Sequence, residues 1–108
     1  MSDALFRYPV FLKEDDWKSA VTGFEKRVRR FRSAARLDQV GRVSSAIVAA
    51  EADSFPDGDE FKYVLYLSDD DYGFLSEAVA NERNGVPRDV VERIAHELRM
   101  AAGDATEL

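Results

Sequence analysis

The feature that most constrains the fold is an apolar seam between residues 17 and 36. Its members recur at alternating spacings of four and three residues, which is the repeat of one face of an α-helix. They are Trp17, Val21, Phe24, Val28, Phe31 and Ala35. We therefore expect one unbroken helix from Asp15 or Asp16 to about Leu37, whose apolar side is covered by the rest of the chain or by a second copy of it.

Basic side chains crowd the opposite face of the same segment. The basic residues that we expect to contact an anionic partner are Lys26, Arg29, Arg30, Arg32 and Arg36. Seven Lys or Arg residues lie between positions 26 and 42, enough to neutralise several phosphates of a nucleic acid. The alternative interpretation is that this face is solvated or forms ion pairs within the fold.

Charge is distributed unevenly along the 108 residues. Residues 1–42 carry ten Lys or Arg and six Asp or Glu, a net charge of +4, whereas residues 43–108 carry five and fifteen, a net charge of −10. The two halves either neutralise each other in the fold or present faces of opposite sign. An acidic face would attract a basic partner and repel nucleic acid.

Two segments have the composition of β-strands. Leu5–Leu12 alternates in polarity, and Pro9 indicates a sheet edge because proline cannot donate a ladder hydrogen bond. Phe61–Leu67 is rich in aromatic and β-branched residues. Residues 42–53 fit either a strand or a helix. The turn-forming sequence Phe55–Asp59 favours a hairpin, so we expect residues 42–53 to pair with Phe61–Leu67.

Two further helices are predicted toward the C-terminus. Ser68 followed by Asp71 resembles a capping box, and residues 69–71 place three carboxylates in the first turn. Asn84-Gly85 is typical of the end of this helix. Pro87 is suited to the first position of the last helix, which we expect to end at Gly103.

These elements predict an α+β fold in a single globular domain over residues 1–103, followed by a frayed tail at 104–108. A small antiparallel sheet, made of an edge strand and a hairpin, is covered by the long amphipathic helix, and two shorter helices follow.

Composition excludes several classes of function. There is no cysteine, and His96 is the only histidine, so few residues could serve as a nucleophile or as its general base. We therefore expect no enzyme and no catalytic residue. We expect no metal and no cofactor, because the carboxylates around Asp57 fail the EF-hand spacing and no glycine-rich phosphate loop occurs. The chain has no apolar run of about 18 residues, so we expect a soluble cytoplasmic protein without membrane contact.

The segment Phe61–Ala101 resembles a ribbon–helix–helix unit. A strand, the Ser68 cap, a helix, the Asn84-Gly85 turn and a second helix follow one another in that order. Members of that family read the major groove with polar or basic strand side chains, and here only Lys62 suits that task. The resemblance implies a nucleic-acid-binding transcriptional regulator or an antitoxin-like protein, which is the alternative function.

Protein binding is the function that the charge asymmetry favours. We expect a small, acidic, non-enzymatic protein-binding module, such as an inhibitor, an immunity protein or a phage-encoded antagonist of a nucleic-acid-handling enzyme, that engages a basic partner surface. The residues expected to contact that surface are Asp57, Asp59, Glu60, Asp69, Asp70, Asp71 and Tyr72. Phe55 is a further candidate anchor, and a homodimer is compatible with the sequence.

Overall fold

A four-stranded antiparallel sheet with helices packed on it is the framework of the computed structural model, which describes residues 4–81 and 86–108. In chain order the elements are β1 (Leu5–Leu12), α1 (Glu14–Val28), α2 (Ala34–Ala52), β2 (Phe55–Asp57), β3 (Glu60–Ser68), α3 (Asp69–Asn81), α4 (Arg88–Gly103) and β4 (Thr106–Glu107). The strands lie in the order β2-β3-β1-β4. The predicted α+β class is confirmed.

The core lies on one face of this sheet. β1 and β3 pair along their whole length, from Leu5 opposite Ser68 to Leu12 opposite Phe61. Alternate side chains point to opposite faces of a strand, and those on the helix side are buried: Tyr8, Val10, Leu12, Tyr63, Leu65 and Leu67. Trp17 of α1 stacks on Tyr63, with ring centroids 3.9 Å apart. The helices and the sheet thus share a single hydrophobic core.

The predicted strand at residues 5–12 is confirmed, but it is not at the sheet edge. β1 lies between β3 and the two-residue strand β4, which pairs only with Phe6 and Arg7. The amide of Leu108 donates to the carbonyl of Leu5 at 2.9 Å, so the odd-numbered residues of β1 direct their backbone groups toward β4. Pro9 lies just beyond the end of β4, where its missing N–H leaves no ladder bond unmade.

The prediction of one unbroken helix from residue 15 to 37 is wrong, because the chain turns between Val28 and Ala34. Ser33 begins a second helix, since its Oγ accepts a hydrogen bond from the amide of Arg36 at 3.3 Å. Phe31 lies in the turn and packs against Phe74, with ring centroids 5.5 Å apart. The turn lets α2 run back along the sheet, whereas a continuous helix would carry its apolar residues away from the core.

Residues 42–53 are helical, so the expectation of a strand there is also wrong. Val43, Ala46, Ile47 and Ala50 are buried, which is a helical spacing. The hairpin exists, but its first strand is only the three residues of β2. Gly58 supplies the positive φ of its turn, at 67°.

The C-terminal helices follow the prediction closely. The amide of Asp71 donates to Ser68 Oγ at 3.2 Å, which is the predicted cap, and α4 starts one residue after Pro87 and ends at Gly103. The Asn84-Gly85 turn lies outside the described residues. The tail was expected to fray, but Thr106–Glu107 forms β4 because the edge of β1 offers unpaired backbone groups.

Candidate functional site

Carboxylates from several segments meet at the end of the sheet that carries the hairpin turn. Asp57 and Asp59 are exposed in that turn, and Glu60 follows at the start of β3. β1 ends at the same end of the sheet, because Leu12 pairs with Phe61. α1 begins there as well, with Asp15 exposed in its first turn. α4 adds Glu97 beside them.

A depression of about 400 Å³ lies between the end of β1, the start of α1, the start of β3 and α4. Glu60 of β3, Asp16 of α1 and Glu97 of α4 line it together with Lys13 and Arg93. Burial raises the pKa of the Glu97 carboxyl group above its ordinary value, and the negative charge of Glu60 raises that pKa further, whereas His96 acts in the opposite direction. Like charges are therefore crowded at this place.

Arg93 neutralises two of the carboxylates at this end. Its guanidinium group donates to both oxygens of Asp16 at 3.0 and 3.1 Å and to Asp89 at 3.1 Å. Five others form no ion pair within residues 4–81 and 86–108, and we call them the acidic end: Asp15, Asp57, Asp59, Glu60 and Glu97. The acidic end is thus a surface whose negative charge the described part of the fold does not compensate.

The second predicted acidic cluster, at residues 69–71, lies at the other end of β3. Eight residues of strand separate it from Glu60, about 26 Å at 3.3 Å per residue. Asp69 and Asp70 are exposed in the first turn of α3. The seven predicted partner-binding residues therefore do not form one surface.

Asp71 and Tyr72 are core residues, so the expectation that they contact a partner is wrong for this conformation. Asp71 is 3% exposed and accepts hydrogen bonds from Arg42 at 2.7 and 3.1 Å and from Gln39 at 3.0 Å. Tyr72 is 5% exposed and donates through its hydroxyl group to the carbonyl of Leu98 at 2.7 Å. Sequence could not reveal this, because the partners of Asp71 come from a helix that precedes it by 29 and 32 residues.

The hydrogen-bond partners of Asp71 stabilise the charged form of its carboxyl group. Burial by itself raises the pKa of its carboxyl group, but hydrogen bonds from Arg42 and Gln39 and the positive charge of Arg42 outweigh burial. The pKa of Asp71 therefore lies below its ordinary value of 3.8.

The predicted basic residues lie at the corner where α1 turns into α2, and we call this set the basic corner: Lys26, Arg29, Arg30, Arg32 and Arg36. Arg36 lies over the rings of Phe31 and Phe74, with its guanidinium carbon 5.6 and 5.4 Å from their centroids, and it donates to Gln39 at 2.9 Å. Arg32 donates to the backbone carbonyls of Arg29 and Phe31 at 2.6 and 3.1 Å. Arg32 and Arg36 are thus partly anchored by the fold, while both remain exposed.

The sheet face opposite the helices is a surface that the sequence reasoning missed. We call it the open face, and its apolar members are Leu5, Pro9, Phe11, Phe55, Val64 and Tyr66. Leu5, Phe55 and Tyr66 are 49%, 51% and 46% exposed. A signal was present, because β3 carries Val64 and Tyr66 on the side that an alternating strand reserves for polar residues.

The residues considered for catalysis and metal binding are not brought together. His96 lies exposed on α4. Within residues 4–81 and 86–108, no group of three or more His, Asp or Glu is arranged to hold a metal ion. In the same residues, no helix is both long enough and apolar enough to cross a bilayer.

The segment that resembles a ribbon–helix–helix unit has the predicted element order in its described part, but its strand is not a separate ribbon. β3 lies between β1 and β2 in a four-stranded sheet, whereas the β-structure that fits into the major groove is a two-stranded ribbon. In the comparison with known proteins, no protein-family model, no curated protein and no solved structure matches this chain.

Proposed function

We propose that this protein is a non-enzymatic protein-binding module whose acidic end docks on a basic surface of a partner. The observation that carries the proposal is that the five carboxylates of the acidic end, from α1, the hairpin turn, β3 and α4, lie at the same end of the sheet. The pKa of Glu97 is raised mainly by burial and further by the negative charge of Glu60, so these two carboxylates repel each other. A basic partner would remove this repulsion on binding, so the cluster favours such a partner both in encounter rate and in orientation.

The structure offers a matched pair of charge variants for the test. Asp15→Asn/Asp59→Asn removes two charges of the acidic end, both from exposed positions. Asp69→Asn/Asp70→Asn removes exposed charges at the other end of β3. Asp71 is left unchanged, because its substitution would alter stability through Arg42.

The assay is selection of a display library of random 12-residue peptides on the immobilised wild-type protein. We expect the enriched peptides to carry net positive charge and to bind more weakly as salt increases. The acidic-end variant should bind them at least ten-fold more weakly, whereas the control variant should retain wild-type affinity. Absence of enrichment, enrichment of neutral or acidic peptides, or equal loss in both variants would refute the proposal.

A second candidate function is nucleic-acid binding through the basic corner. The observation that favours it is that the five side chains of the corner, dispersed over eleven residues of sequence, gather around one turn of the chain. Fluorescence anisotropy of labelled DNA and RNA oligonucleotides tests it. Binding that weakens steeply with salt and is lost in Arg29→Gln/Arg30→Gln/Arg32→Gln would support this function, and no binding at low salt would exclude it.

A further inference from the structure

The open face is a continuous apolar surface and not a set of scattered residues. Phe55, Lys62 and Phe11 lie in one row across β2, β3 and β1, and Lys62 Nζ is 5.7 Å from the centroid of each ring. Val64 and Pro9 form the next row along the strands. Contiguous apolar surface of this kind on a folded chain marks an interaction site more often than isolated exposed residues do.

The charged residues of this face are Arg7 at one end, Asp57 and Glu60 at the other, and Lys62 beside the rings of Phe11 and Phe55. Arg7 is opposite Tyr66 at one end, and Asp57 is opposite Glu60 at the other. Neither Arg7 nor Asp57 forms an ion pair with any residue in the described part of the chain. The rows that contain them are six residues apart along β3, which corresponds to about 20 Å.

Because of this charge pattern, the open faces of two copies of the chain are complementary in charge. A two-fold axis between two stacked open faces, crossing the strands at the level of Tyr63, exchanges their ends, because residue 63 is midway between Glu60 and Tyr66 on β3. It therefore brings Arg7 of each copy toward Asp57 of the other, on either side of a centre that holds Lys62 and the apolar residues Pro9, Phe11, Phe55 and Val64. A nucleic acid fits less well, because the carboxylates at one end would repel its phosphates.

We propose that the open face joins two copies of this chain in a two-fold symmetric dimer. Eight residue pairs at 3.3 Å and three strand spacings of 4.8 Å give the face a footprint of about 26 by 14 Å. That area is below the standard protein interface of about 800 Å² per partner. We therefore expect the dimer to be a weak one.

The test is sedimentation velocity of the whole chain across the micromolar range. We expect the wild type to pass from monomer to dimer with increasing concentration. Arg7→Glu and Asp57→Arg should each raise the dissociation constant about ten-fold, because each places like charges opposite one another at two sites of the dimer. Combining the two reversals should restore wild-type association, since the pair is re-formed with exchanged signs.

Two control variants change charge by the same amounts outside the open face. Arg99→Glu matches Arg7→Glu, and Asp69→Arg matches Asp57→Arg, and both positions are exposed. Circular dichroism verifies that every variant is folded. A wild type that stays monomeric throughout the range, single reversals that leave association unchanged, or a double reversal that fails to restore it would each overturn the dimer. The outcome is separable from the peptide test above, because the acidic-end variant leaves Asp57 unchanged.

Discussion

The ion pair between Arg42 and Asp71 provides the sharpest test of the packing between α2 and α3. Arg42→Met keeps an unbranched apolar stem and removes the charged guanidinium group, which leaves a 3% exposed carboxylate with Gln39 and the Ser68 cap as its remaining partners. Removing one partner of a buried pair typically costs about 3–5 kcal/mol. Because more than half of the Arg42 side chain is exposed, water can reach its side of the pair, and we expect a loss of about 2–3 kcal/mol.

The pH dependence of this loss of stability shows whether it arises from the charge of Asp71. In the wild type the pKa of Asp71 is lowered, so the ion pair contributes stability above the ordinary pKa of 3.8, and this contribution is lost as pH falls through the folded-state pKa. In Arg42→Met burial is no longer opposed by the guanidinium group, and the pKa of the carboxyl group rises. The variant is therefore destabilised at neutral pH and partly relieved as Asp71 becomes protonated.

Urea denaturation at fixed protein concentration, from neutral pH to about pH 4, measures both effects. The difference in unfolding free energy between wild type and Arg42→Met should narrow as pH falls. Arg99→Met, the same substitution at an exposed position of α4, should change stability by less than about 0.5 kcal/mol. A difference below 1 kcal/mol at neutral pH, or one that stays constant with pH, would refute a buried, charged Asp71.

Three further stability predictions can be tested by thermal and chemical denaturation. Tyr72→Phe removes the 2.7 Å hydrogen bond to the carbonyl of Leu98 and should cost about 1 kcal/mol, whereas a neutral effect would contradict that bond. Gly58→Ala should cost about 1–2 kcal/mol, entirely from its φ of 67°, because a Cβ there meets no atom within 4 Å. Arg93→Met removes the two hydrogen bonds to the buried Asp16 and should lower the free energy of unfolding by less than Arg42→Met does, because the first turn of α1 also stabilises that carboxylate. Wild-type stability in Arg93→Met would show that Asp16 does not depend on the guanidinium group.

The acidic residues illustrate how far sequence reasoning reaches for the candidate site. Asp57, Asp59 and Glu60 were found because turn chemistry places them at the surface, and they are indeed at least partly exposed. Asp71 has the same residue type and an equally acidic neighbourhood, but it is buried because α2 places Arg42 and Gln39 against it. Glu97 was not singled out, because its proximity to Glu60 follows only from the packing of α4 near the start of β3.

The sequence by itself determined the elements whose signals are local. Strand composition determined β3, alternation determined β1, and the Ser68 cap determined the start of α3. The tertiary structure alone decided where the long apolar seam breaks. The seam at Phe31 and Ala35 continues the helical repeat, and Val43 and Ile47 fit a strand as well as a helix, so neither pattern locates the turn at residues 29–33. The turn forms because burying Val43 and Ile47 against the sheet stabilises the chain more than one continuous helix projecting away from it.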